Sequence, residues 1–180
     1  YLCAKRVLLF SFILLVLGNL IFLSEPLYRT ISFDSLPALL NNYLSKSNGS
    51  IFTITPWFGY IAFGAYIATL FHKYAKRPNF KKITVVSFFA LGWILIISSS
   101  DILILLYELM NIQLFLHAAN YNYLFTRLGN VFLYFSFFYA FENYLKFPLI
   151  LKIGQKTLSI YVIHFTIIYG SFFGIGLNRI

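Results

Sequence analysis

Five long apolar runs, separated by polar or basic segments, organise the chain. They fall at about residues 7–23, 57–74, 83–99, 124–145 and 156–177. Each is near the length of about 20 residues that carries a helix across a ~30 Å hydrocarbon core. The pattern predicts an all-α fold: a polytopic transmembrane helix bundle of about five spans, forming a single transmembrane domain over 1–180. Gly18 and Asn19 interrupt the first run, and Asn19 is expected to hydrogen-bond a neighbouring helix, with substrate contact as the alternative. In the connection over 24–55, Leu36, Leu39, Leu40 and Leu44 share a face, as in a short interfacial helix capped by Asp34 or Ser35. Thr55 and Pro56 read as the N-cap and first residue of the second span. Gly64 with Ala68, and Gly170 with Gly174, read as small-residue faces where another helix can approach. Residues 101–126 and 146–156 read as loops.

Composition agrees with this class. The 180 residues are 60% hydrophobic and 11% charged, more apolar surface than a soluble domain of this size can hide. A net charge of +9 suggests a polyanionic partner, yet the cations sit between the apolar runs and not in a patch interleaved with aromatics, so nucleic acid is not expected. Lys and Arg number two before the first run, five between the second and third, and three between the fourth and fifth. The positive-inside rule places those segments in the cytoplasm and the other two connections outside. The expected location is integral to a plasma or inner membrane of a bacterial-type cell, with membrane lipid as a partner and a homo-oligomer left open. Cys3 is the single cysteine, so an internal disulfide is excluded; it reads as a spectator thiol or a lipidation site. The chain opens on Tyr1 directly before an apolar run, and is expected to be the C-terminal part of a longer membrane protein.

Candidate chemistry centres on the last run. His164 lies eight residues beyond Lys156, roughly 12 Å of helix rise, which is an intramembrane depth for an ionisable side chain. Thr157, Tyr161, His164 and Ser171 recur at helical spacing as one polar stripe. His164 can serve as a base, steady a carbonyl as a donor, or simply pack against another helix. Arg127, Asn130 and Tyr134 share a face of the fourth run, where Arg127 can hold an anion, pair with an acid or snorkel to the interface. Trp57 and Tyr60 suit either stacking on a sugar ring or an interfacial belt. Asp101, Glu108 and His117 read as solvated loop residues, Glu142 as the partner of a nearby lysine, and His72 as facing headgroups. The basic segment 73–82 can meet coenzyme A phosphates or merely obey the positive-inside rule. No HExxH, DxD, CxxC, P-loop or dinucleotide pattern occurs, so no metal site is expected.

Three stretches together resemble one family: GSIFTITPWFGYIAFGA at 49–65, LFTRLGNV at 124–131 and GQKTLSIYVIH at 154–164. They look like the C-terminal half of the heparan-alpha-glucosaminide N-acetyltransferase-like membrane proteins. The TLSIYVIH element is also similar to the closing motif of the broader membrane acyltransferase superfamily. The resemblance implies an acyltransferase that moves an acyl or acetyl group from cytoplasmic acyl-CoA (acetyl-CoA), its co-substrate, to a hydroxyl or amine of a glycan or other small-molecule acceptor. It also implies that the main catalytic histidine lies in an upstream half of the same protein, leaving His164, Tyr161, Thr157, Arg127, Asn130, Trp57 and Tyr60 as candidate catalytic or cavity-lining groups. The rival readings are a membrane transporter or export subunit with the polar stripe along its pathway, and a non-catalytic scaffold.

Overall fold

The computed structural model describes residues 7–30, 37, 41 and 53–169. The first apolar run forms α1 (Val7–Leu23), with the predicted bounds. A turn at Ser24 then starts α2 (Glu25–Thr30), which the sequence reading placed inside a connection. Its acid in the first turn and the adjoining Pro26 are both favoured where the first N–H groups lack intrahelical acceptors. α3 (Ile54–Tyr74) begins earlier than expected: its N-cap is Thr53, with extended backbone, not Thr55. Pro56 still falls in the first turn, where its missing N–H breaks no helical bond. α4 (Phe80–Ile97) is entered through Asn79 in the left-handed region at φ 62°, which Asn tolerates better than most residues.

The expected loop at 101–126 is instead mostly helical. It holds α5 (Ser99–Met110) and α6 (Gln113–Asn120), joined through Asn111 at φ 53°, a left-handed C-cap whose N–H donates to the Tyr107 carbonyl. Leu103 on α5 and Ala118 and Ala119 on α6 bury against each other, with Leu23 of α1 and Phe125 beside them. Burial of one apolar face explains why these segments fold rather than loop. α7 (Tyr123–Ala140) ends short of the expected 145, and residues 141–145 continue as turns. The basic segment after it contains α8 (Pro148–Gln155), with proline at the first helical position. α9 (Thr157–Tyr169) follows; Ser171, Gly170 and Gly174 lie outside the described residues, as do Cys3, Asp34 and Ser35. Of the expected interfacial helix only Pro37 and Asn41 fall among the described residues, the Asn41 N–H donating to the Pro37 carbonyl at 3.0 Å.

All described elements are helices. Two of them, α3 and α4, are long and apolar enough to cross a membrane, and Leu9–Leu23 is a shorter apolar helix. The chain forms two compact units, Tyr1–Phe137 and Phe138–Ile180.

Within the first unit two antiparallel helix pairs position the site. In the first, Gly18 of α1 faces Phe63 of α3, Gly59 faces Phe22, and the Ser11 and Thr69 hydroxyls bond. A Cβ on Gly59 would stand 2.6 Å from the Phe22 ring, so only glycine admits that ring here. Phe22, 2% exposed, meets Tyr60, Phe63 and Phe125 edge-on at 4.9, 5.1 and 5.3 Å, tying α1 to α3 and α7. Each such aromatic pair adds about 0.5–1.5 kcal/mol beyond simple burial. In the second pair, Gly92 of α4 and Gly129 of α7 meet backbone to backbone, Phe88 stacks on Phe132 at 5.1 Å, and the Ser136 hydroxyl donates to the Val85 carbonyl at 2.8 Å. Close approach between small residues is how apolar helices gain packing contact where lipid offers no hydrophobic drive.

Two expectations about small and polar residues are corrected. Gly64 is not a helix contact: nothing lies within 4 Å of where its Cβ would be, because α3 packs on α1 through Gly59, Ala62 and Phe63 instead. Asn19 bonds its own helix, its Nδ2 donating to the Leu15 carbonyl at 2.8 Å, and among the described residues it makes no bond to a neighbouring helix.

Candidate functional site

Trp57, Tyr60, Gly64 and Ile67 follow one stripe of α3, and Tyr123, Arg127, Asn130 and Val131 follow one stripe of α7. Between the two stripes lies a cavity of about 510 Å³. Its size falls in the range of small-molecule pockets. Its deeper walls are apolar, with Phe63, Leu128 and Phe132, and its polar groups are Thr53, Tyr60, Tyr123, Arg127 and Asn130. Four side chains singled out in the sequence, Trp57, Tyr60, Arg127 and Asn130, are thus brought together. Tyr134, expected on the same face, is exposed and does not line the cavity.

Each wall is held in place. The Tyr60 hydroxyl donates to the Leu124 carbonyl at 3.1 Å, pinning α3 to α7 across the cavity's back. The Trp57 and Tyr60 rings lie 6.1 Å apart and tilted, and Trp57 is 49% exposed. The Arg127 guanidinium sits over the Tyr123 ring at 5.3 Å. That leaves its planar donor edge available to an anionic or polyhydroxyl ligand. At the start of α7, Asn122 donates to the Ser99 and Ser100 hydroxyls at 2.6 and 2.9 Å, anchoring the turn that precedes Tyr123.

Comparison with protein-family models, curated proteins and solved structures finds no match to this chain.

One buried group was missed in the sequence. Glu25 is 2% exposed, and among the described residues no hydrogen bond of ordinary geometry reaches either carboxylate oxygen. The phenols of Tyr28 and Tyr123 stand near enough to feel its charge, and Tyr123 also lines the cavity. Burial pushes the Tyr28 phenol well up from its ordinary value, with Tyr123 and Glu25 adding to the shift. The signal was weak: an acid two residues past an apolar run costs nothing while solvated and becomes informative only when it is buried.

The second unit carries Thr157, Tyr161 and His164 on α9, all exposed. Tyr161 and His164 are three apart on one face, and the Thr157 hydroxyl donates to the Gly154 carbonyl at 2.7 Å, capping the turn between α8 and α9. Lys146 pairs with Glu142 at 3.4 Å, as the sequence suggested. Asp101 and Glu108 are exposed on α5, His117 on α6 and His72 at the end of α3; the first three sit on helices rather than the expected loop. Among the described residues no group of three His, Cys, Asp or Glu side chains is placed to hold a metal ion.

Proposed function

We propose that this chain is part of an integral membrane acyltransferase, and that the cavity between α3 and α7 receives the acceptor. The observation that carries the reading is the convergence of Trp57, Tyr60, Arg127 and Asn130 on one cavity. An aromatic face beside a cluster of directional donors suits a sugar ring, whose apolar face stacks while its hydroxyls bond. The resemblance of residues 49–65, 124–131 and 154–164 to membrane acyltransferases supports the same chemistry.

In this reading the five apolar runs are spans of a larger bundle in a bacterial-type cell membrane. The basic segments 73–82 and 146–156 face the cytoplasm, where acyl-CoA is available, and the Trp57 and Arg127 end faces outward. The acceptor's hydroxyl or amine attacks the thioester carbonyl, its proton passes to a base, and the coenzyme A thiol leaves. Arg127 and Asn130 hold the acceptor, and Trp57 and Tyr60 fix its ring, so the attacking atom arrives oriented. The principal base belongs to the upstream half of the protein, and His164 is the candidate ionisable group within this chain.

Membranes bearing the full-length protein, incubated with acetyl-CoA labelled in the acetyl group, should transfer label to a glycan or small-molecule fraction. Uptake or efflux of an unmodified solute without label transfer would replace this reading with the transporter one.

A further inference from the structure

A second cavity, about 500 Å³, lies between the last turns of α3 and the first turns of α4. Its walls include Leu70, Phe71, Phe80 and Phe88, and its rim carries Tyr74 and Arg77. The rim is built by the connecting turn. The Arg77 N–H donates to the Tyr74 carbonyl at 2.9 Å, and the Phe80 N–H to the Arg77 carbonyl at 3.2 Å. Arg77 lies over the Tyr74 ring at 4.6 Å, and the Lys73 ammonium stands 5.2 Å from the same ring. Residues 73–82 hold five cations and no acid, and Lys73, Lys76, Arg77 and Lys82 are exposed.

We infer that this cavity binds an anionic phospholipid, with the phosphate at Arg77 and Lys73 and the upper acyl chain against Phe71 and Phe88. Three features select that occupant. Among the described residues α3 and α4 are helices long and apolar enough to cross a membrane, so the turn joining them sits at headgroup level. A guanidinium presents paired donors that match phosphate oxygens, and it is already oriented by the tyrosine ring. Apolar walls directly below a cationic rim fit a ligand whose anionic end and hydrocarbon body adjoin, which a free phosphate lacks. A cluster of cations beside a membrane helix attracts anionic lipid in general; the cavity converts that attraction into a defined seat. The inference stands apart from the transferase reading, since it concerns the opposite end of α3.

The test uses the purified full-length protein in neutral detergent micelles, with fluorescent phosphatidylglycerol and phosphatidylcholine as probes. Phosphatidylglycerol should be retained at least about fivefold better. Arg77→Gln with Lys73→Gln should bring that ratio close to one, with an unchanged melting midpoint. Ser87→Trp, which fills the cavity from an exposed lining position and alters no charge, should lower phosphatidylglycerol retention as well. Equal retention of the two lipids in the wild type would overturn the inference, as would a preference that survives in both variants. Preferential retention of palmitoyl-CoA with displacement of phosphatidylglycerol would also overturn it, assigning the seat to a nucleotide thioester instead.

Discussion

Substituting Gly129 by alanine should pry α4 and α7 apart. The added Cβ would lie 2.8 Å from the Gly92 carbonyl oxygen, 2.9 Å from Ile96 Cγ1 and 3.0 Å from Leu95 Cβ. Ordinary contact begins near 3.4 Å, so the helices must separate by about 0.6 Å, and the obstacle is backbone, which cannot rotate away. The separation stretches the 2.8 Å Ser136–Val85 hydrogen bond and the Phe88–Phe132 stack along the same seam. Overpacking of this kind costs about 1–3 kcal/mol. Alanine's better helix propensity returns at most ~1 kcal/mol. A mid-range cost of ~2 kcal/mol less ~1 kcal/mol returned leaves a net expected loss of about 1 kcal/mol. Gly64→Ala supplies the matched control, because that glycine is also helical but faces open space. It should gain a few tenths to ~1 kcal/mol from propensity alone. Equilibrium unfolding of the purified full-length protein, in mild detergent titrated with a denaturing one, measures both. If Gly129→Ala is as stable as the wild type, or Gly64→Ala falls equally, the seam between α4 and α7 is not where the structure puts it.

Three further outcomes follow from the packing. Phe22→Ala should cost about 3–5 kcal/mol in the same unfolding assay, since it empties the ring that joins α1, α3 and α7; a loss below ~1 kcal/mol would contradict that junction. Glu25→Gln should hold or raise stability, because it removes a carboxylate buried without an ion pair to any described residue; a loss above ~2 kcal/mol would contradict this and show that the carboxylate itself holds its surroundings together. Stability should fall as pH rises past about 10, where unfolded Tyr28 releases its proton and the buried phenol, held up by its surroundings, does not. The raised folded value means the contribution is complete below that pH and is lost progressively as pH rises toward the folded value, and Tyr28→Phe should make this part of the profile less steep.

How much of this was legible in the sequence differs by residue. The bounds of α1 could be read from the first run, because it holds no proline and its interruptions, Gly18 and Asn19, do not break the helix. The face shared by Arg127 and Asn130, read from their spacing, lines the cavity as a single stripe. Trp57 and Tyr60 read equally as sugar-stacking or interfacial-belt residues, and nothing in their spacing says that α3 and α7 adjoin. That juxtaposition depends on Phe22 and on Gly59, whose roles appear only once α1 packs against α3. Residues 101–120 were misread as loop because their acids and histidine dominated the composition, while a buried face of only Leu103, Ala118 and Ala119 sufficed to make them helical. Gly64 shows the limit of small-residue spacing: the same pattern that marks a helix contact can mark a cavity wall. Glu25 escaped notice because α2 is short and begins inside what reads as a polar connection.

The most direct measurement of the central claim is acetyl transfer by membranes carrying full-length Arg127→Ala, compared with the wild type and with Tyr134→Ala, each at matched protein level. Arg127 lines the cavity, whereas Tyr134, on the same helix, is exposed outside it. If the cavity holds the acceptor, Arg127→Ala loses at least about tenfold in transfer at limiting acceptor concentration, the equivalent of one charge-assisted hydrogen bond. Tyr134→Ala stays within about twofold of wild type on the same scale. Equal transfer by wild type and Arg127→Ala across the acceptor range would contradict the account.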